Sequence, residues 1–209
     1  LDKLNLGKKD FENLILLKNL ENKFHLDLDI ADVNIKILDL SKSILVNKQI
    51  SDFMKKAFPE ELRLFYKKIN YVSYIDTILE TLNLDKLEVL DLEENYITEL
   101  NFLEKIRSKN LRILNVAHNF LSNIKILTNV NFKNLEKLYL YKNRISDISA
   151  LINFEFENLN TLNLGENKIS DINVLTDVSF SKLEILNLKY NNISDIDVFK
   201  KVNFKELKE

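Results

Sequence analysis

The sequence predicts an α/β solenoid, with a curved parallel β-sheet on a concave face and short helices or 3-10 turns on the convex face. Three periodic observations predict it. A frame reading Leu-x-x-Leu-x-Leu-x-x-Asn-x-Ile-x-x-Ile begins at Leu87, Leu111, Leu135, Leu159 and Leu183, and starts again at Leu207, always 24 residues apart. An asparagine holds one phase of that frame: Asn95, Asn119, Asn143, Asn167 and Asn191. A phenylalanine recurs three residues before a new start, at Phe132, Phe156, Phe180 and Phe204. A fixed period of this length marks stacked repeats, none of which can bury its apolar face alone.

Each Leu-x-Leu is a short strand whose alternate residues point inward. The inward sets are Leu87, Leu90, Leu92; Leu111, Leu114, Val116; Leu135, Leu138, Leu140; Leu159, Leu162, Leu164; and Leu183, Leu186, Leu188. Stacking joins them into one core, and truncating one of them to alanine costs roughly 2–5 kcal/mol. Just past the strand the chain turns, and its backbone groups lose their ladder partners. An asparagine amide has the donors and the acceptor to replace them, so five in phase predict an interior asparagine ladder. The second half of each repeat carries Ile97/Leu100, Leu121/Ile124, Ile145/Ile148, Ile169/Ile172 and Ile193/Ile196. Three repeats read Ile-Ser-Asp-Ile, where Ser or Asp caps a short convex turn. That capping role outweighs phosphorylation of Ser146, Ser170 or Ser194. The phenylalanines at fixed phase fill the convex side of the core.

On these residues the chain resembles leucine-rich repeat proteins. The Asn-x-Ile-Ser-Asp-Ile phrase is most similar to the class shared by phosphatase-1 regulatory repeat proteins and bacterial internalins. The resemblance covers Leu87 to Glu209 closely and the front of the chain loosely. The 24-residue repeat is slightly longer than is typical of that class, with the extra residues around the phenylalanine. The resemblance implies a scaffold for protein recognition. It carries over the scaffold positions but no binding residue, because such proteins vary their concave positions.

The front of the chain is less regular. Leu1, Leu4 and Leu6 read as a strand of a preceding repeat, and Asp10 as a cap for a helix over Phe11–Phe24. Leu26, Leu28 and Ile30 alternate with Asp27 and Asp29 as a half-buried strand, the aspartates forming a solvated face in preference to a metal site. Ile35, Leu38 and Leu40 fit the repeat strand, and so do Pro59, Leu62 and Leu64. A helix is expected over Ser51–Phe58, with Ser51 as its cap, and another over Asp76–Leu82. Asn70–Ile75 echoes the repeat phrase about four residues late, which places an insertion within Tyr66–Asn70 or in the Asp76–Leu82 helix, and Tyr66, Tyr71 and Tyr74 sit in this irregular part. Residues 1–86 are therefore expected to be irregular repeats with a helical, cap-like portion, and 87–209 the regular array, in one continuous solenoid. The array is expected to break off just inside a new repeat, leaving an uncapped C-terminal edge through which copies can self-associate.

The composition narrows the function. Two glycines and one proline in 209 residues argue against flexible linkers. A net charge of −2 argues against a general nucleic-acid binder. No run of 18 apolar residues predicts a membrane span. The absence of cysteine removes disulfide caps and thiol chemistry. The Asn192-Ile-Ser194 sequon reads as chance in an asparagine-rich chain. No signal peptide is visible, so an intracellular setting is favoured, with a bacterial surface as the alternative. No cofactor is expected and no catalysis. His25 and His118 lie in different elements, two glycines cannot build a phosphate loop, and Asp91 with Glu93 is the best carboxylate pair available, which a solvated patch explains better.

The residues between the inward leucines form the concave face. One column reads Val89, Ile113, Lys137, Thr161, Ile185. The next reads Asp91, Asn115, Tyr139, Asn163, Asn187, and the third Glu93, Ala117, Tyr141, Gly165, Lys189. Glu94, His118, Lys142, Glu166 and Tyr190 lie just beyond. The early end is acidic. Tyr139 and Tyr141 rise from the middle, and Tyr141, between Ala117 and Gly165, either stands proud or lies into the notch at Gly165. Tyrosine gives much contact area for little lost entropy. The expected partner-binding residues are therefore Tyr139, Tyr141, Tyr190, His118, Asp91, Glu93, Lys137 and Lys189. The plain alternative is that the two central rings only shield the sheet. The expected function is a protein–protein interaction module (a scaffold, adaptor or regulatory subunit) gripping a protein through its concave face. The alternatives are an internalin-like surface adhesion module and a mainly structural, self-associating array.

Overall fold

The computed structural model describes residues 3–5, 37–39, 60–63, 75, 79, 82–202 and 204–208. Eight short strands form one open parallel sheet in chain order: β1 (Lys3–Asn5), β2 (Ile37–Asp39), β3 (Glu61–Arg63), β4 (Val89–Asp91), β5 (Ile113–Asn115), β6 (Lys137–Tyr139), β7 (Thr161–Asn163) and β8 (Ile185–Asn187). Each strand pairs in parallel with the next, in a register that sets each repeat position beside its equivalent: Leu90, Leu114, Leu138, Leu162 and Leu186 form one row. From β4 onward the step is 24 residues; β2 to β3 also steps 24, β3 to β4 steps 28, and β1 to β2 steps 34. The strands around Leu4, Leu38 and Leu62 thus join the sheet. The expected elements over Phe11–Phe24, Leu26–Ile30 and Ser51–Phe58 lie outside the described residues, as do Tyr66, Tyr71, Tyr74 and His25. In the stretch expected to form the Asp76–Leu82 helix, Leu79 is helical and buried, and so is Ile75 just before it.

The inward residues are sealed. Leu87, Leu90, Leu92 and their equivalents through Leu183 have no exposed surface. Five 3-10 turns back the strands at Asn101–Lys105, Lys125–Thr128, Ser149–Asn153, Asn173–Thr176 and Asp197–Lys200. Each buries at least one apolar side chain, such as Leu103, Leu127, Leu151, Leu175 and Val198. Phe132, Phe156 and Phe180 close the convex side of the core, and Phe204 packs against it. At the phase where Phe is missing, Ser108 is buried and its hydroxyl donates to the Leu87 carbonyl at 2.7 Å.

Of the two capping candidates in Ile-Ser-Asp-Ile, aspartate does the work. Asp147, Asp171 and Asp195 each accept from the backbone N–H two residues on, at 2.8 Å, and Asn123 does the same at 2.7 Å. Ser146, Ser170 and Ser194 are exposed. Bonds from the Ser149 backbone N–H and the Ser149 hydroxyl hold the Asp147 carboxyl below the ordinary aspartate value.

The ladder runs through the interior. The Asn143 amide donates to Val116 O and Leu140 O, each at 3.0 Å, and its Oδ1 accepts from Leu121 N–H at 2.9 Å. Asn119, Asn167 and Asn191 repeat this arrangement, bonding their own turn and the preceding repeat. Asn95 donates to Leu92 O at 2.9 Å. Leu207 starts the next turn as its predecessors do, with its N–H on Phe204 O, and Lys208 N–H reaches Glu184 O at 2.8 Å.

Candidate interaction face

The outward side of β4 to β8 is the candidate site. Its geometry divides the expected residues into those that serve the fold and those left to act. In the middle column, Asp91, Asn115, Asn163 and Asn187 turn their side-chain oxygens back to the backbone N–H two residues on, at 3.0–3.1 Å. These are Asx turns that end each strand. Tyr139 replaces that side chain with a ring, and its half-buried face stands between the Asn115 and Asn163 rows.

The third column carries a side-chain relay. The Tyr141 hydroxyl donates to a Glu166 carboxylate oxygen, and that bond raises the hydroxyl's pKa above the ordinary tyrosine value. Its ring lies over Gly165 rather than standing proud: a Cβ built on Gly165 would meet Tyr141 Cδ2 at 3.2 Å and Asn187 Oδ1 at 3.2 Å. Gly165 is therefore needed for the space above it, and its backbone does not require a glycine. On the other side the His118 ring tilts against Tyr141 with centroids 5.2 Å apart, and His118 Nδ1 stands 3.9 Å from Glu94. Glu94, His118, Tyr141 and Glu166 thus link four successive repeats.

Other expected contacts are placed apart from this centre. Glu93 Oε2 accepts from Asn115 Nδ2 at 3.0 Å, so the Asp91–Glu93 pair is engaged in the strand ends. Lys137 is half-buried on β6, Lys189 is exposed past β8, and Tyr190 is 80% exposed at the far end. Among the described residues, no group of three His, Cys, Asp or Glu could hold a metal ion, and no helix is long and apolar enough to cross a membrane.

The repeat geometry and the comparisons agree. Two family profiles match, one described as Leucine Rich repeats (2 copies) over residues 109–153 and one as Leucine rich repeat over 133–193. Residues 109–193 are leucine-rich repeats. An internalin (inlF) from Listeria monocytogenes is similar in structure, with TM-score 0.61 and 26% identity, over 85% of this chain and 48% of that one. The chain therefore spans about half the length of that internalin. The plant peptide hormone receptor RGFR1, in complex with RGF2, shares the fold, with TM-score 0.51 and 16% identity, over 78% of this chain and 25% of that one. No curated protein matches the sequence.

Three features of these repeats are absent from the expectations above. Glu94, His118, Lys142, Glu166 and Tyr190 all adopt positive φ, between 49° and 58°. The chain turns at this left-handed residue before the ladder asparagine, and no glycine marks the position. A second, outer set of asparagines, Asn110, Asn134 and Asn158, donates to backbone carbonyls of the preceding repeat at 2.8–3.3 Å. Its signal, Asn immediately before the first Leu, recurs every 24 residues and is legible. The third, a column of side chains just past the inner ladder, is taken up below.

Proposed function

We propose that this leucine-rich repeat chain is a non-catalytic recognition module that holds a protein partner on the outward face of its sheet, centred on Tyr139 and Tyr141. The observation that carries the proposal is the preorganised Tyr141. Its ring is seated on Gly165, flanked by His118 and fixed by Glu166, so little conformational freedom remains to be lost on binding. Tyr139 stands out of a column whose other members are consumed by Asx turns. Rigid tyrosines on a stiff sheet are what hot spots are built from. His118 adjoins the pair, and Asp91, Glu93, Lys137, Lys189 and Tyr190 supply mixed charge and an aromatic ring elsewhere on the same face. Leucine-rich repeat proteins are generally protein-binding modules, which supports the same assignment. We further take 1–86 as an irregular, cap-like portion and 87–209 as the presenting array. The test is partner capture with wild type and with the folded Tyr139→Ala/Tyr141→Ala variant. A protein retained by the first and released by the second supports the face; equal retention removes it.

The likeness to the Listeria internalin favours a second reading, an adhesion module at a bacterial surface. A partner captured from host-cell membranes rather than from the source cell's own lysate would select it. Self-association through the β8 edge, where Ile196 and Phe199 are exposed, is the third. Concentration-dependent dimerisation in sedimentation, abolished by charges at those two positions, would select that instead.

A further inference from the structure

Immediately after each inner-ladder asparagine comes one exposed side chain: Tyr96, Phe120, Arg144, Lys168 and Asn192. The backbone stacks these positions along the edge of the solenoid. Phe120, Arg144, Lys168 and Asn192 each donate their N–H to the preceding repeat, to Ile97, Leu121, Ile145 and Ile169 carbonyls at 2.8–2.9 Å. Tyr96 and Phe120 lie face to face, centroids 5.5 Å apart and planes 8° from parallel. The Arg144 guanidinium lies over the Phe120 ring at 4.2 Å. Because Tyr96 comes from the repeat before and Arg144 from the repeat after, Phe120 is covered on both faces. The stack therefore shows solvent the edges of its rings.

Those edges decide what the surface can take. An aromatic ring is negative on its faces and positive at its rim, so exposed rims beside a guanidinium favour an oxygen anion. The guanidinium plane is spent on Phe120, and its N–H fork remains for a carboxylate. Among the described residues, Arg144, Lys142 and Lys168 form no ion pair with a carboxylate. This contrasts with Arg112 on the opposite edge, which is held by Glu136 at 2.8 Å and faces Glu88 at 3.5 Å. Three cations and two ring edges therefore form a stripe that nothing in the described chain neutralises. A nucleobase is a poor occupant at Phe120, because it binds by stacking on a ring face and both faces of Phe120 are taken.

We propose that this edge stripe, Tyr96–Phe120–Arg144–Lys168 with Lys142 beside it, is a second docking surface that takes an acidic segment of a protein, a carboxylate lying in the fork of Arg144. Apart from Lys142, which follows Tyr141 and precedes the ladder residue Asn143, the stripe lies past the inner ladder rather than on the strands, and it does not depend on the tyrosine face.

The test is selection of random displayed 12-residue peptides on the intact chain. Enriched peptides are then synthesised and their affinities measured by fluorescence anisotropy at two salt concentrations. Circular dichroism confirms the fold of every variant. Enrichment of Asp- or Glu-rich peptides is expected. Arg144→Gln should weaken them by about tenfold, the loss of one charge-assisted pair. Phe120→Leu, which keeps the bulk but removes the plate that holds the guanidinium, should weaken them less, and Tyr139→Ala/Tyr141→Ala should leave them unchanged. The proposal is overturned if no peptide is enriched, if the enriched peptides lack acidic residues, or if Arg144→Gln leaves their affinity intact. It is equally overturned if single-stranded poly(U) binds more tightly than the peptides and loses its binding in Arg144→Gln, because the occupant would then be nucleic acid.

Discussion

Replacing Asn143 with alanine isolates what one rung of the inner ladder is worth. The side chain makes three good bonds, to Leu121 N–H, Val116 O and Leu140 O. The two carbonyls are shared: Val116 O keeps Asn119 at 3.1 Å, and Leu140 O keeps Asn167 at 3.0 Å. The Leu121 N–H has no such reserve. Leaving that buried donor unpaired costs about 1–3 kcal/mol, and halving the donors on two carbonyls adds about 0.5–1 kcal/mol each. Asn143→Ala should therefore lose about 2–5 kcal/mol in urea denaturation followed by circular dichroism. Asn191→Ala, at a half-buried rung where water can substitute, should lose only about 1–2 kcal/mol. Asn143→Asp keeps the acceptor for Leu121 but sets a carboxylate against two carbonyls. It should be at least as damaging at neutral pH and recover partly as the carboxyl protonates. A loss below about 1 kcal/mol for Asn143→Ala, or equal losses at 143 and 191, would refute the shared-acceptor argument.

Three further outcomes follow from the geometry. Gly165→Val should evict the Tyr141 ring, seen as loss of the Tyr141–His118 ring-current shifts in NMR, while Gly165→Ala needs only a few tenths of an ångström of yielding and should keep them. At Lys142, whose φ is 54°, glycine should be tolerated and valine not, the two midpoints separating by about 1–2 kcal/mol because a β-branched residue resists the left-handed region. Asp147 has a depressed pKa, so its contribution is full above the ordinary aspartate value of 3.8 and fades as pH falls through the lower folded value. Asp147→Asn, which keeps the acceptor without the charge, should flatten that acid limb in a pH series of thermal midpoints.

The fold was largely legible because its determinants are periodic. Leu90 and its equivalents, the ladder asparagines and Phe132, Phe156 and Phe180 sit at one phase each, and burial calls for the same residue type at each of these positions, Ser108 being an exception at the Phe phase. What the sequence concealed has different physics. The left-handed position accepts Glu, His, Lys or Tyr, because the turn is enforced by the flanking strand and ladder bonds rather than by a glycine. The Asx role of Asn115 and Asn163 was hidden because a residue between two inward leucines reads as an outward contact until its carbonyl oxygen is seen on its own backbone. The sequence leaves Tyr141 either proud or recessed; the Gly165 notch and Glu166 together decide for the recessed seat. The stack at Tyr96, Phe120 and Arg144 is a 24-residue column of unlike residues, so no repeat consensus points to it.

The central claim is that the seated tyrosines hold a protein partner. It is tested most directly by capture on immobilised wild type, followed by affinity measurement of the recovered protein against Tyr139→Ala/Tyr141→Ala of equal thermal stability. The account predicts that the recovered protein loses at least about tenfold in affinity, as expected when two anchor residues are removed. Equal affinity for the wild type and the folded variant would contradict it.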